Sequence, residues 1–173
     1  MKSIVPILKN LLLGVELLIV IAIVHWEKVL FAAIIALDQF TKSRVVATMR
    51  LGESIPVVPD FIHLTYITNP GAAFGILPNQ RVFFLVMGLA LLVLFAFFYP
   101  RLKKSDMLLK FGVICLVSGS TANLIDRVQT GEVVDFLDLR IWPIFNVADV
   151  AVVAGMFVMV YVIIFLDDKG ESQ

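Results

Sequence analysis

Long apolar segments without a charged side chain limit this chain to a membrane protein. There are three of them, at residues 82–99, 111–125 and 150–166. A helix that crosses a bilayer needs about 20 mostly apolar residues. In the whole chain 60% of residues are hydrophobic and 16% are charged, whereas soluble domains are about 45–50% apolar and about 25% charged. A core of this length cannot bury so much apolar surface, so we predict an all-α integral membrane protein.

A fourth candidate span, residues 29–49, contains Asp38, Lys42 and Arg44 in its second half. Asp38 and Lys42 are four residues apart, so they lie on one face of a helix. An ion pair between them lowers the free energy needed to place each charge in a membrane. With this segment the chain is predicted to have a four-helix transmembrane core at residues 29–166.

Residues 1–28 precede this core. Within them, residues 11–24 are apolar apart from Glu16, and Lys2, Lys9 and Glu16 lie on nearly one helical face because they are spaced by seven. Three interpretations are open: an extra membrane-spanning helix, an interfacial amphipathic helix, or an uncleaved targeting sequence. We favour an extra apolar helix, spanning or interfacial.

Basic residues in short loops predict the orientation of the core. The loop between its second and third spans carries three of them, Arg101, Lys103 and Lys104. Such residues stay on the cytoplasmic side. The segments 50–81 and 126–143 are therefore expected outside, and the tail at 167–173 is expected in the cytoplasm.

The outer segment 50–81 contains many turn-forming residues. Its glycines and prolines exclude a long helix; they are Gly52, Pro56, Pro59, Pro70, Gly71, Gly75 and Pro78. Residues Phe61–Ile67, in contrast, are rich in strand formers. We predict a small extracytoplasmic β-sheet that lies on the membrane surface.

Two aspartates, Asp135 and Asp149, lie near the ends of apolar stretches on the predicted outer side. Carboxylates at membrane depth usually face a cavity or a partner, because burying their charge in lipid is unfavourable. Two carboxyls in one cavity are not easily both ionised, and a single proton between them provides an acid and a base. This is the chemistry of an aspartic protease. The proton belongs to the pair and not to either residue.

Two asparagines accompany acidic residues at helical spacing. Asn123 precedes Asp126 by three residues, and Asn146 precedes Asp149 by three, so each pair shares a helix face. The amides are suited to orient a peptide backbone while the acids carry out chemistry. The alternative is that both pairs join helices through hydrogen bonds.

Two further aspartates are expected to have other roles. Asp126 is followed by Arg127, and an adjacent guanidinium keeps a carboxylate ionised, which suits a structural role. Asp138 is expected to be a solvated loop residue.

A metal site and a nucleic-acid partner have little support. His25 and His63 lie in unrelated segments, and the spacing of Asp135, Asp138 and Asp149 matches no cation-binding loop. The formal net charge is zero, which gives no sign of binding to nucleic acid.

Five short motifs follow one another in the order Asp38–Lys42, Asn69–Gly75, Asn123–Arg127, Val133–Phe136 and Phe145–Asp149. Together they resemble the motifs of the lipoprotein signal peptidases, the type II signal peptidases. The resemblance covers residues 29–166 and is far more specific than any one of the motifs.

The resemblance implies a bacterial aspartic endopeptidase that uses no cofactor or metal. Such an enzyme spans the cytoplasmic (inner) membrane several times, with its active site at the outer face. It cuts the signal peptide from a prolipoprotein, just before a cysteine that carries a diacylglyceryl group. The implied catalytic pair is Asp135 and Asp149. The residues implied to bind substrate or support the site are Asn69, Asn123, Arg127, Asn146, Asp38 and Asp126. The expected partners are the prolipoprotein and membrane lipids, and we expect a monomer.

The chain departs from the family pattern in three places. Residues Ser118–Asn123 replace a Gly-Gly pair and a small-Gly-Asn run, although they are still small enough for close helix packing. The gap between Asp135 and Asn146 is short. Residues 1–28 are an extension about which the resemblance says nothing.

Two functions from other classes stay open. Aspartate and asparagine inside a membrane also mark the ion paths of transporters and proton-coupled channels, although transporters commonly contain wider inverted repeats than this chain shows. The third possibility is an inactive scaffold or chaperone for lipoproteins. Cleavage of a diacylglyceryl-modified prolipoprotein distinguishes a peptidase from both.

Overall fold

The computed structural model describes residues 14, 24–71 and 76–166. Most of the predicted N-terminal extension, residues 72–75 and the tail at 167–173 lie outside the described residues. Four helices and three strands follow one another in the described ranges: α1 (Trp26–Thr48), β1 (Ser54–Val58), β2 (Ile62–Asn69), α2 (Arg81–Leu102), α3 (Met107–Gln129), β3 (Val133–Asp138) and α4 (Val147–Phe165).

Three of these helices, α2, α3 and α4, are long and apolar enough to cross a membrane. Helices α2 and α3 contain the segments predicted from the sequence and extend past them at both ends, whereas α4 begins three residues before its predicted segment and ends one residue short of it, at Phe165. Helix α1 is not among the three, because it carries Glu27, Lys28, Asp38, Lys42 and Arg44. The predicted pair within it is confirmed: Lys42 Nζ lies 2.7 Å from Asp38 Oδ2, and both side chains are buried.

Helix α1 begins earlier than the predicted core start at residue 29. Its first turn includes Glu27, whose carboxylate accepts a hydrogen bond from the Tyr99 hydroxyl of α2 at 2.9 Å and lies 3.8 Å from Lys110 Nζ of α3. These partners stabilise the charge of Glu27 in the first turn of α1. The apolar pattern in the sequence begins only at residue 29, so by itself it predicts a later helix start.

Helix α3 is central, because it packs against α1, α2 and α4, most extensively against α4. Glycines bring α3 and α4 close together. A Cβ atom on Gly155 would lie 2.5 Å from the carbonyl oxygen of Gly112, and one on Gly119 would overlap the carbonyl oxygen of Ala148. The close helix packing expected at residues Ser118–Asn123 is therefore confirmed.

The small β-sheet predicted for residues 50–81 is confirmed, since β1 and β2 form an antiparallel pair there. The strand expected at Phe61–Ile67 runs from Ile62 to Asn69 instead. It extends to Asn69 because its end pairs with a strand that the sequence analysis did not predict, β3 (Val133–Asp138). The sheet order is β1-β2-β3.

The prediction that Asp138 is a solvated loop residue is wrong. Asp138 is the last residue of β3 and is 5% exposed. Its carboxylate accepts hydrogen bonds from the Thr65 hydroxyl at 2.8 Å and from the backbone N–H of Arg140 at 2.8 Å. Pairing of β3 with β2 places the carboxylate next to Thr65, and the turn after β3 brings the N–H of Arg140 to it. Both contacts keep the carboxylate away from water.

The sheet is joined to the helices by a small apolar core. Val45 and Met49 at the end of α1 pack with Phe136 of β3, and neighbouring sheet residues cover them. This core holds β3 at one end of the helix bundle, next to the start of α4.

Candidate active site

The chain between β3 and α4 folds back on itself and brings Asn146 next to Asp135. Phe145 pairs with Leu137 through two hydrogen bonds: its carbonyl accepts from the Leu137 N–H at 2.7 Å, and its N–H donates to the Leu137 carbonyl at 3.1 Å. Asn146 then ends the loop as the N-cap of α4.

Asn146 contacts both of the aspartates singled out above. Its side-chain Nδ2 donates to Asp135 Oδ1 at 2.6 Å. Its backbone N–H donates to Asp149 Oδ2 at 3.1 Å, and its Oδ1 accepts from the Asp149 N–H at 2.9 Å. The last two bonds form a capping box, which stabilises the first turn of α4. A single, fully buried residue thus connects the two carboxyls.

Each carboxyl accepts a second hydrogen bond from an amide on another element. Asn69 Nδ2, at the end of β2, donates to Asp135 Oδ2 at 3.1 Å. Asn123 Nδ2, on α3, donates to Asp149 Oδ1 at 2.8 Å. The two carboxyls are therefore held from three sides of one cavity.

Asp135 is only 2% exposed. Burial and the negative charge of Asp149 raise the pKa of Asp135 to about 7, against the lowering effect of hydrogen bonds from Asn69 and Asn146. Near neutral pH this carboxyl is able to hold a proton.

Arg127 lies at the edge of the same cavity. Its Nη2 donates to the carbonyl of Gly71 at 2.7 Å, and its guanidinium lies over the Phe84 ring, 4.6 Å from the ring centroid. The expectation that Arg127 pairs with Asp126 is wrong. Consecutive residues on a helix point in different directions, and the cation next to Asp126 is Lys42 of α1, with Nζ 2.7 Å from Oδ2.

Asp38 and Asp126 lie behind the cavity. Lys42 is within 2.7 Å of a carboxylate oxygen of each. Asp38 Oδ1 also accepts the N–H of Ala148 in the first turn of α4, at 2.9 Å. Local spacing does not reveal the contact of Lys42 with Asp126, because spacing within α1 identifies partners on that helix alone.

The cavity has a volume of about 550 Å³. Its polar lining residues are Thr68, Asn69, Asn123, Arg127, Asp135 and Asp149. Apolar side chains form the rest of the wall; on α4 they are Val152, Val153 and Met156. Val153 and Met156 are both exposed, so the apolar wall continues onto the outer surface of that helix. Of the predicted site residues, Asp38, Asp126 and Asn146 are outside the lining.

The arrangement is suited to proton transfer. Two carboxyls share one donor residue, the pKa of Asp135 is raised to about 7, and both carboxyls line one cavity. Within the described part of the chain, no group of three His, Cys, Asp or Glu side chains is placed to hold a metal ion.

The chain is similar to known proteins over most of its length. The family model of signal peptidase (SPase) II matches residues 30–165. The lipoprotein signal peptidase of Pelotomaculum thermopropionicum is 40% identical over 145 residues, which cover 84% of this chain and 95% of that protein. The lipoprotein signal peptidase of Brevibacillus brevis is 43% identical over 146 residues, 83% of this chain and 97% of that protein.

A solved structure has the same fold. It is a bacterial membrane enzyme determined by the in meso method at 2.3 Å resolution, with a TM-score of 0.77 and 32% sequence identity over 85% of this chain and 91% of that chain. The resemblance inferred from the five motifs is therefore confirmed, and the chain belongs to the signal peptidase II family.

Proposed function

We propose that this protein is an aspartic endopeptidase that removes signal peptides from prolipoproteins by cutting before the diacylglyceryl-modified cysteine. The observation that carries the proposal is the contact of Asn146 with both Asp135 and Asp149. This contact holds two carboxyls from β3 and α4 at one cavity, as a shared-proton mechanism requires.

In the proposed reaction, Asp149 acts first as the base and Asp135 as the acid. Asp149 takes a proton from water, and the water oxygen forms a bond with the scissile carbonyl carbon while Asp135 donates its proton to the carbonyl oxygen. The tetrahedral intermediate then collapses: the C–N bond breaks, Asp149 passes its proton to the departing nitrogen, and the hydroxyl proton returns to Asp135. The two carboxyls end in the states in which they began.

The remaining polar residues of the cavity wall are proposed to orient the peptide. Asn69 and Arg127 lie at the side where β2 and α3 end, and Asn123 lies beside Asp149. Amide and guanidinium groups donate hydrogen bonds to peptide carbonyls, so these residues are suited to fix the scissile bond between the two acids.

We propose that α1 is the fourth span of a four-helix core. Its buried charges, Asp38 and Lys42, are paired with each other, which lowers the free energy of placing them in a bilayer. With the basic loop Arg101–Lys104 in the cytoplasm, the sheet and the cavity lie at the outer face of the cytoplasmic membrane. We expect a monomer.

The apolar wall on α4 is proposed to receive the diacylglyceryl group. Because Val153 and Met156 continue from the cavity to the exposed helix surface, a lipid-bearing cysteine is able to enter sideways from the membrane. We expect kcat/KM for a prolipoprotein peptide to be at least about tenfold higher with its diacylglyceryl group than without it. Burial of about two methylenes, at about 0.8 kcal/mol each, is enough for a tenfold difference.

The measurement compares the two forms of one peptide in matched micelles. Cleavage of both forms at equal kcat/KM would show a membrane protease with no preference for lipoproteins. No cleavage of either form would favour the scaffold or transporter alternatives.

Cleavage and stability are both expected to depend on pH through Asp135, whose pKa is raised to about 7. The dyad needs its proton, so kcat should fall about tenfold per pH unit above that value. The raised pKa also means that the folded state favours the protonated carboxyl. Its contribution to stability is complete below about pH 4 and is lost as the pH rises through 7.

The test is the thermal unfolding midpoint in detergent between about pH 5 and pH 8. It should fall with rising pH in the wild type and fall less in Asp135→Asn. An equal dependence in both proteins, with kcat unchanged up to about pH 9, would contradict the assignment of the proton to Asp135.

A further inference from the structure

Lys42 of α1 is buried directly behind Asn123 of α3. Its Nζ donates to Asn123 Oδ1 at 2.9 Å and lies 2.7 Å from Asp38 Oδ2 and from Asp126 Oδ2. These three acceptors match the three N–H bonds of an ammonium group. Because the side chain is only 5% exposed, the ammonium is held in one position.

This contact determines which end of the Asn123 amide faces the dyad. Asn123 Oδ1 accepts from both Lys42 Nζ and Asn146 Nδ2, the latter at 3.1 Å. The amide nitrogen is then directed at Asp149 Oδ1, 2.8 Å away. The opposite orientation would place the NH₂ group against two other donors and its oxygen against a carboxylate, so it is strongly disfavoured.

We propose that Lys42 is a positioning residue for peptide cleavage, which acts through Asn123 to hold the carboxyl of Asp149 in the position from which it takes the proton of the attacking water. This inference rests on the proposed function, because it concerns the same two acids. Lys42 itself does not touch the substrate. A charged donor strengthens the hydrogen bond that it makes and, by polarising the Asn123 amide, strengthens the next bond to Asp149.

Charged side chains of two helices lie around the dyad: Asp38 and Lys42 of α1, and Asp126 and Arg127 of α3. The charge of Lys42 acts directly on Asp135, whose pKa it lowers, but less than the hydrogen bonds from Asn69 and Asn146 do. The carboxylates of Asp38 and Asp126 beside Lys42 weaken its charge at a distance. The contact with Asn123 is the path from the ammonium to Asp149.

The experiment begins with Lys42→Met, assayed on a diacylglyceryl prolipoprotein peptide under conditions in which the variant is folded. We expect kcat to fall about 10- to 100-fold, which corresponds to the loss of a charged hydrogen bond, with little change in KM. The loss should appear in kcat and not in KM, because Asp149 loses a positioned donor while the cavity wall that binds the peptide is unchanged.

Gln39→Leu is the matched control. Gln39 belongs to the same helix and donates to Asp126 Oδ1 at 2.7 Å, but it makes no hydrogen bond with Asn123 in the described contacts. We expect the activity of this variant to follow its folded fraction, with kcat per folded enzyme and KM unchanged.

A double-mutant cycle with Asn123→Ala tests whether Lys42 acts through Asn123. In that background Lys42→Met should lower kcat by less than about twofold. If the two substitutions lower kcat independently, so that their fold-changes multiply in the double variant, the inference is overturned and Lys42 has a structural role alone.

Lys42→Met leaves two buried carboxylates without a cation, which is strongly destabilising. If the variant does not fold, Lys42→Met, Asp38→Asn and Asp126→Asn are made together and form one side of the cycle, because this triple variant leaves no buried charge at that position. The two proposals fail separately. A wild type that cleaves no prolipoprotein removes the proposed function, whereas a cleaving wild type with Lys42→Met equal to Gln39→Leu removes this inference alone.

Discussion

Replacing either Asp135 or Asp149 with asparagine is expected to lower kcat for prolipoprotein cleavage by about 10²- to 10⁴-fold, the usual contribution of a general acid or base. Asparagine keeps the shape of the side chain but does not carry the proton. Asp135→Asn should fold at least as well as the wild type above pH 7, because it removes a buried charge. The measurements are single-turnover cleavage and thermal unfolding of the same preparation.

Asp138→Asn is the matched control for Asp135→Asn. Both carboxyls are buried in β3, three residues apart, but Asp138 bonds to Thr65 and Arg140 and is not part of the cavity lining. We expect this control to retain cleavage within a few fold. A folded Asp135→Asn or Asp149→Asn protein with more than about a few per cent of wild-type activity would exclude the proposed dyad.

Gly119→Ala is expected to destabilise the protein by about 3 kcal/mol or more, at or above the upper end of ordinary overpacking. The added Cβ would overlap the carbonyl oxygen of Ala148 and lie 2.9 Å from Val152 Cγ2. A backbone carbonyl is unable to rotate away, so the start of α4 must move away from α3. Because Asp149 lies in that turn and bonds to Asn123, cleavage should be lost as well.

Gly88→Ala is the control for this substitution. Its Cβ would lie 2.7 Å from Leu124 Cδ1, the far end of a flexible side chain that is able to move. The unfolding midpoint should therefore fall much less than in Gly119→Ala, and cleavage should persist. Equal midpoints for the two variants would show that the contact of α3 with α4 does not depend on Gly119.

The membrane class and three of the spans were predictable because a spanning helix is recognised by the apolar composition of about 20 consecutive residues. The Asp38–Lys42 ion pair was predictable for a similar reason, since residues four apart on a helix are neighbours whatever surrounds them. The candidate site residues were named from five short motifs, and the structure places Asn69, Asn123 and Asn146 in contact with the two aspartates.

Other features depend on residues that are far apart in the chain. Strand β3 has six residues, too few for a strong local pattern, and its partner β2 lies before two intervening helices. Without that pairing, the local sequence predicts that Asp138 is a solvated residue. Sequence adjacency likewise suggested that Asp126 pairs with Arg127, whereas its cation comes from α1.

The sequence by itself determined the properties that local spacing and composition encode: a membrane protein, its apolar helices, the family motifs and the acids within them. The tertiary structure alone decided which groups meet. It placed Asn146 between Asp135 and Asp149, buried Asp135 so that its pKa is raised to about 7, and set Lys42 behind Asn123. The physical reason is that hydrogen bonding and desolvation depend on distance in space, which packing of α1, α3, β3 and α4 establishes.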